Sequence, residues 1–588
     1  MSIEGRNAYL TTKAMKNFLI ASVLTMAINQ LNTTVDGIIV SHLVGPDALS
    51  AVTLYLPVNL IVTALGTLLG IGATIIAAKA IGRRDKETVS GILSTALVSL
   101  ILAGFALGIA GFGFGDGITS LLTRDEHIQP QLQAYLVIML GLGVMPMLNQ
   151  FFGQCVDIDG FPINVTKAVV LVFISNILLD LILVGALGMG IRGSAIATIS
   201  SYAIAIMFHC RHLLSGKSDI SFHFTFASFK KYIGPNLIQG LPLLISNVIL
   251  VVLFYSMNSI VQGRLGHEGM FVMSVCVNIF MIGMMLSNGF GSTILSLGGF
   301  LYGQSDFTSV RFLVKRCLVA IVIITLGFTV LVEAAPGLLT RLFGANTPEL
   351  TAIANNGVRI FIVCLAPFCL VLTLANLYQV LGRIALSPIL VISFPVVLLS
   401  CMKVFASYDD DSMLWYAFPV SGILVFLFAF VVSEVIRLRN RQAKLMPLTL
   451  LPTKSHDQVY EVSLKNTTDD FYKAISGLQE IVGSFKLDEA TRNQAVSSTE
   501  ELLINTIRHS GIEGNNHYSD LRMVQTEEKF TVSMKYEGKP FNPIATDAEN
   551  RKFGLRIMFG LSEAVDYKYM YGQNMMYLSW NLNQKTNK

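Results

Sequence analysis

Two carboxylates stand where a charge is unfavourable. Asp36 falls in the apolar run that begins near residue 16, and Asp180 falls within VLVFISNILLDLILV. An acid at the centre of a membrane-spanning helix costs about 2.5–3.5 kcal/mol on insertion scales, so each is a candidate for ion or proton chemistry. Asn176 precedes Asp180 by four residues, which on a helix puts amide and carboxylate on one face. A second constellation lies much later, where Glu501, Asn505 and His509 follow one another at intervals of four in STEELLINTIRHSG and so share a helix face. The seven cysteines lie between Cys155 and Cys401 without a C-x-x-C pair, which argues against a disulfide framework or a thiolate metal centre.

The elements that must hold these residues follow from composition. Of 588 residues, 53% are hydrophobic and only 14% charged, and the charges are denser after residue 455, with 33 in 133 positions against 47 in the preceding 455. A soluble fold of the preceding length would need a far more polar surface. The long apolar runs therefore predict membrane helices, about twelve of them at roughly 20 residues per crossing. They fall near 16–40, 50–78, 90–111, 131–155, 163–186, 190–210, 236–262, 270–298, 312–333, 352–379, 384–404 and 413–436. Lys and Arg gather on one side, as in Arg6, Lys13, Arg83, Arg84, Lys230, Lys231, Arg311, Lys315 and Arg437. The other side holds only Arg124, Arg192, Arg264, Arg341 and Lys403. Positive charge marks the cytoplasmic face, so a multi-pass inner-membrane protein with both termini in the cytoplasm is expected. The first run shows no cleavable signal pattern and reads as a retained helix.

An internal repeat organises the spans. GIGATIIAAKAIGRRDKETV at 70–89 and GFGSTILSLGGFLYGQSDFTSV at 289–310 share their order of features, with Gly82, Asp85 and Val89 matching Gly303, Asp306 and Val310. Two parallel six-helix lobes follow, 1–225 and 226–441, an arrangement that in transporters encloses a central cavity and rocks between two open states. The segments DGIIVSHLVGPDALSAV, GIGATIIAAKAIGRRD, DIDGFPINVTKAVVLVFISNILLDLILV and GMGIRGSAIATISSY together resemble the multidrug and toxic compound extrusion family over residues 10–440. The resemblance implies an antiporter, driven by Na⁺ or H⁺ and needing no cofactor, that exports small organic or xenobiotic compounds through the bilayer.

Carried over residue by residue, the resemblance also implies a cation-coupling cluster of Asp36, Asn176, Asp180 and Thr198, with Asp36 and Asp180 as the Na⁺ ligands. Oxygen donors suit a hard cation, and protons would compete with Na⁺ for a pair of carboxylates in a dry cavity. The second lobe has no acid at the corresponding place, where the chain reads LVISFPVVLLS, so coupling is expected in the first lobe alone. Neutralising Asp306 or Glu333 is accordingly expected to matter little. The Phe- and Met-rich run FVMSVCVNIFMIGMML would suit a greasy pocket, although lipid-facing surface accounts for it more simply. Two other readings are a flippase for lipid-linked or polysaccharide precursors, which the N-x-x-x-D cluster disfavours, and a receptor signalling through its C-terminal part.

After a Pro-containing linker at 442–457, residues 458–588 predict amphipathic helices followed by alternating strands, an α/β sandwich. STEELLINTIRHSG, YEGKPFNP and RKFGLRIMFGLSEAVDYKY resemble, in order, the boxes of histidine-kinase-like ATPases of the anti-sigma-factor kinase group. By that resemblance Glu501, Asn505, His509, Gly538 and Gly554 would form a nucleotide and Mg²⁺ site. Two departures count against ATP binding. Tyr536 stands where the group has its adenine-recognising Asp, and Arg551, Lys552 and Phe553 precede Gly554 where the lid is usually glycine-rich. The domain is expected to be a degenerate ATPase that regulates the transporter or docks a cytoplasmic protein, with no role for nucleic acid.

Overall fold

The computed structural model describes residues 5–123, 125, 128–215, 218, 220–342, 347–383, 385–453, 458–510, 514–540, 542, 558 and 560–582. The chain forms two compact units. The larger comprises Leu19–Gln304 and Val314–Leu451; the smaller gathers Met1–Phe18, Ser305–Leu313 and Pro452–Lys588.

Among the described residues, the chain has 10 helices long and apolar enough to cross a membrane. An eleventh span is a bent pair, Gln129–Gly141 and Val144–Ile158, inclined by 46°. The expected span at 236–262 lies in the first arm of the long helix Phe226–Thr293, which breaks at Gly266 (φ 59°). The repeated Asp has a local cause. Asp85 caps the helix Lys86–Leu122 by accepting the Thr88 N–H at 3.0 Å, and Asp306 accepts the Ser309 N–H at 3.1 Å at the start of Phe307–Ala334. Each thus satisfies a helix-terminal N–H that would otherwise lack a partner. The repeated glycines meet: a methyl group on Gly82 would overlap the Phe300 carbonyl and stand 2.9 Å from the Gly303 Cα, and one on Gly303 would overlap the Lys79 carbonyl. Only residues without a Cβ allow the two lobes this backbone approach. The first part of the expected linker is packed rather than free, with Leu450 and Leu451 buried and the Tyr378 hydroxyl donating to the Leu448 carbonyl.

The smaller unit is built on an antiparallel five-stranded sheet of β1 (Gln458–Asn466), β2 (Gly514–Gln525), β3 (Lys529–Tyr536), β4 (Ala564–Met570) and β5 (Gln573–Asn581), in the order β1-β2-β3-β5-β4. Strand alternation sends Val462, Leu464, Leu521, Met523, Phe530, Val532, Met534, Met576 and Leu578 into one apolar core with residues of the helices Thr468–Ser476, Leu478–Gly483 and Glu489–Ser510. The intervening residues are polar, yet Ser463, Asp520, Arg522, Ser533, Lys535 and Glu537 are buried too. Residues 5–18 and 305–313 account for this. Gly5 bridges to Val462 in β1, the Asn7 N–H donates to the Ser463 hydroxyl at 3.0 Å, and the Gln573 amide donates to the Leu10 carbonyl at 2.8 Å.

Candidate functional site

Three helices of the first lobe bring the acidic cluster together. Asp36 lies on Tyr9–Leu43, Asn176 and Asp180 close the helix Pro162–Asp180, and Thr198 lies on Gly190–Leu213. The i, i+4 spacing does put Asn176 and Asp180 on one buried face, and the Asn176 amide reaches the Thr198 hydroxyl at 3.4 Å. Immediately after Asp180 the helix widens into a π segment, Leu181–Ala186, a local rearrangement often found at functional positions.

Asp36 is half-buried and within reach of both Asp180 and the Ser194 hydroxyl. Among the described residues, however, Asp36 Oδ1, both Asp180 oxygens, Asn176 Oδ1 and Ser194 Oγ meet no well-formed hydrogen-bond partner. Two facing carboxylates with free lone pairs cannot satisfy one another; a proton or a cation between them can. Among the described residues no three His, Cys, Asp or Glu side chains group as a metal site. A cation here would therefore take the two carboxylates together with the neutral oxygens of Asn176, Ser194 or Thr198. Sequence reasoning missed Ser194, although it lies one helical turn before Thr198. It also missed Tyr135 and Tyr202, which are close enough to Asp36 to interact with it electrostatically.

The second lobe presents a different interior. Of the run FVMSVCVNIFMIGMML, Val272, Met273, Val275, Cys276, Ile279 and Phe280 face inward, whereas Met281 and Ile282 are exposed. Phe280 packs on Phe368 with ring centroids 4.5 Å apart, and Phe368 on Phe394 at 4.7 Å. One face of this segment is thus lipid-compatible surface and the other part of a packed aromatic interior.

In the smaller unit, Glu501 and Asn505 do face one another, with the Asn505 amide donating to the Glu501 carboxylate at 2.9 Å. Tyr536 is 3% exposed and belongs to the apolar core. Burial and the neighbouring Tyr567 push its phenol well up from the ordinary range, so it stays neutral. At the position where the resemblance implies an adenine-recognising Asp, the chain thus packs an aromatic ring into the core. Gly538, in the turn after β3, has φ 134°, a conformation that glycine adopts readily. The His509 side chain and residues 551–554, including Gly554, lie outside the described residues.

The family comparisons accord with this division. The MatE family model matches residues 21–182 and again 242–402, together more than half of the chain, and the histidine kinase-like ATPase domain model matches 464–580. "Multidrug export protein MepA" of Staphylococcus haemolyticus is 22% identical over 435 residues, covering 73% of this chain and 94% of that protein. "Probable multidrug resistance protein YoeA" of Bacillus subtilis is 25% identical over 225 residues, 37% of this chain and 48% of that one. Among solved structures, the outward-facing conformation of a multidrug resistance MATE family transporter of the MOP superfamily aligns with TM-score 0.67 at 20% identity, over 75% of this chain and 100% of that one. A MOP superfamily transporter from Pyrococcus furiosus aligns with TM-score 0.65 at 22% identity, over 74% and 100%. The matched repeat and the two-lobed helical fold agree, and the chain belongs to the MatE family of multi-pass membrane transporters, carrying a C-terminal histidine kinase-like ATPase domain.

Proposed function

We propose that the protein exports small organic compounds, xenobiotics among them, in exchange for an inward flow of Na⁺ or H⁺. The observation that carries this reading is the juxtaposition of Asp36 and Asp180, in which Asp36 Oδ1 and both Asp180 oxygens lack donors. Such a pair holds a cation or a proton, and loss of that ion restores repulsion between two buried charges. The three helices around it then have two arrangements, which is what coupling an ion to a lobe movement requires. The names of the relatives from Staphylococcus haemolyticus and Bacillus subtilis support a multidrug substrate class. In the same reading both termini are cytoplasmic and the C-terminal domain regulates transport without turning over ATP; the packed Tyr536 supports the second point.

The test is efflux of an organic dye from proteoliposomes under separately imposed Na⁺ and proton gradients. Efflux driven by one gradient, and lost in Asp180→Asn, supports the reading; efflux indifferent to both gradients overturns it.

A further inference from the structure

Six charged side chains are gathered on the polar face of the sheet in the smaller unit, three of each sign: Arg6, Arg522 and Lys535 with Asp306, Asp520 and Glu461. Arg6 Nη2 lies 3.2 Å from Asp306 Oδ2 and 3.1 Å from Asp520 Oδ2, and donates to the Ser309 hydroxyl at 2.8 Å. Lys535 Nζ reaches the same Asp306 oxygen at 2.9 Å. Arg522 pairs with Glu461 at 2.9 Å and donates to the Ser305 carbonyl, also at 2.9 Å. Further along, Lys13 pairs with Glu537 at 2.8 Å. The groups come from three distant parts of the chain, and Asp306 is fully buried.

Two features set this contact apart from an ordinary domain core. First, it is ionic where an apolar contact of the same volume would commonly be at least as stable, and Arg6 Nε and Nη1 still meet no partner among the described residues. Polar interfaces of this kind are typical of parts that separate. Second, the segments it holds are continuous with opposite lobes. Residues 5–18 lead into the helix that carries Asp36 and that packs on the first lobe through Thr25 and Thr166, 3.0 Å apart. Asp306 follows Gly303 by three residues, and Gly303 is the glycine that meets Gly82 of the first lobe.

We propose that this cluster is an autoinhibitory latch. The sheet face of the C-terminal domain ties the start of the Asp36 helix to the loop after Gly303, favours the state in which Gly82 and Gly303 are in contact, and must let go of one of the two segments for the lobes to part at that end. The proposal rests on reading the larger unit as a transporter.

The experiment compares the full-length protein with Arg6→Gln/Asp306→Asn in lipid nanodiscs by hydrogen–deuterium exchange, with ethidium efflux from proteoliposomes measured in parallel. The double variant leaves the buried Asp520 and Lys535 without their opposite charges, which predicts exchange in residues 5–18 and 305–313 faster by roughly a hundredfold or more. Exchange at 76–84 and 296–304 is expected to rise with it, and efflux to quicken. Lys13→Gln, at a partly exposed edge of the contact, is the milder variant for the case in which the double variant does not fold, and should shift all three readouts the same way by less. Unchanged exchange in 5–18 and 305–313 overturns the latch. Release of those segments with no change at 76–84 and 296–304 overturns its coupling to the lobes. The expected exchange pattern in a protein that moves no ethidium under any gradient supports the latch while removing the export reading.

Discussion

Gly82 and Gly303 occupy the same place in the two halves of the chain and lie against one another, each admitting the other's helix because it has no side chain. Gly82→Ala sets a methyl group against the Phe300 carbonyl, and the backbones must separate to admit it. Overpacking of this kind costs about 1–3 kcal/mol. The variant should populate the state opened at this end, seen as faster labelling of a cysteine introduced at Lys79 in a background without the native cysteines. Labelling unchanged from the Gly82 parent would show that the contact does not restrain the lobes.

Asp36→Asn and Asp180→Asn should each abolish gradient-driven efflux while leaving insertion and folding intact. The amide preserves shape but removes the charge that holds the coupling ion, and it supplies a donor to the neighbouring carboxylate. Both variants should consequently be at least as thermally stable as the parent, because an unfavourable pair has become a hydrogen bond. Normal efflux in either variant would move the coupling site elsewhere.

The C-terminal domain should not bind ATP with useful affinity in the full-length protein. Tyr536 packs in the core at the position where the resemblance implies an adenine-recognising Asp, and the Asn505 amide donates to Glu501. Calorimetric titration with ATP and Mg²⁺ is the check. Micromolar binding that disappears in Asn505→Ala would show that the residues after β3 seat a nucleotide in another way.

Mild acidification should not release residues 5–18. Burial pushes the Asp306 carboxyl up, but Arg6, Lys535 and Arg522 together hold it well below the ordinary carboxylate range. Its contribution to stability is therefore complete above the unfolded value and is lost only as pH falls through the depressed one. Asp520 is shifted the other way: burial raises it despite Arg6, so proton uptake there favours the folded form as pH falls. Limited proteolysis near residue 5 should thus be no greater at about pH 5.5 than at about pH 8, both above the ordinary carboxylate range. Cleavage that increases at the lower pH would contradict this assignment of charges.

The spans and the acidic cluster were legible because the signals are local: apolar length, a carboxylate out of place, and a four-residue spacing. Glu501 and Asn505 were legible for the same reason. The six-charge cluster was not. Arg6 and Asp306 are 300 residues apart, and Asp306 and Lys535 are 229 apart, so no periodicity connects them. Arg6 and Lys13 look like charges flanking a first span, and Asp306 looks like a loop residue or a helix cap. It is indeed a cap, but its second oxygen serves the ion cluster, a role that the sequence expectation for Asp306 did not include. Strand alternation in β3 was the available clue: a polar face carrying Ser533 and Lys535 is ordinary for a solvated sheet, and nothing in the residues themselves announces that it is covered.

The involvement of residues 5–18 in the same folded unit as β5 has a consequence for how the protein is made. These residues are made before the lobes, and the Gln573 amide that holds the Leu10 carbonyl is made after them. The membrane helices can insert in order while their leading segment waits without its partner, an arrangement of high sequence separation that slows the closing step. Tyr571, whose ring lies 6.0 Å from that of Phe18, belongs to the same late-made turn. A chain interrupted anywhere before β5 would carry complete lobes with an unclosed smaller unit. Synthesis of β5 is thus also the moment at which the segment ahead of the Asp36 helix becomes tied down, so a bulky insertion within residues 5–18 would disturb the sheet of the smaller unit as well as the helix that follows it.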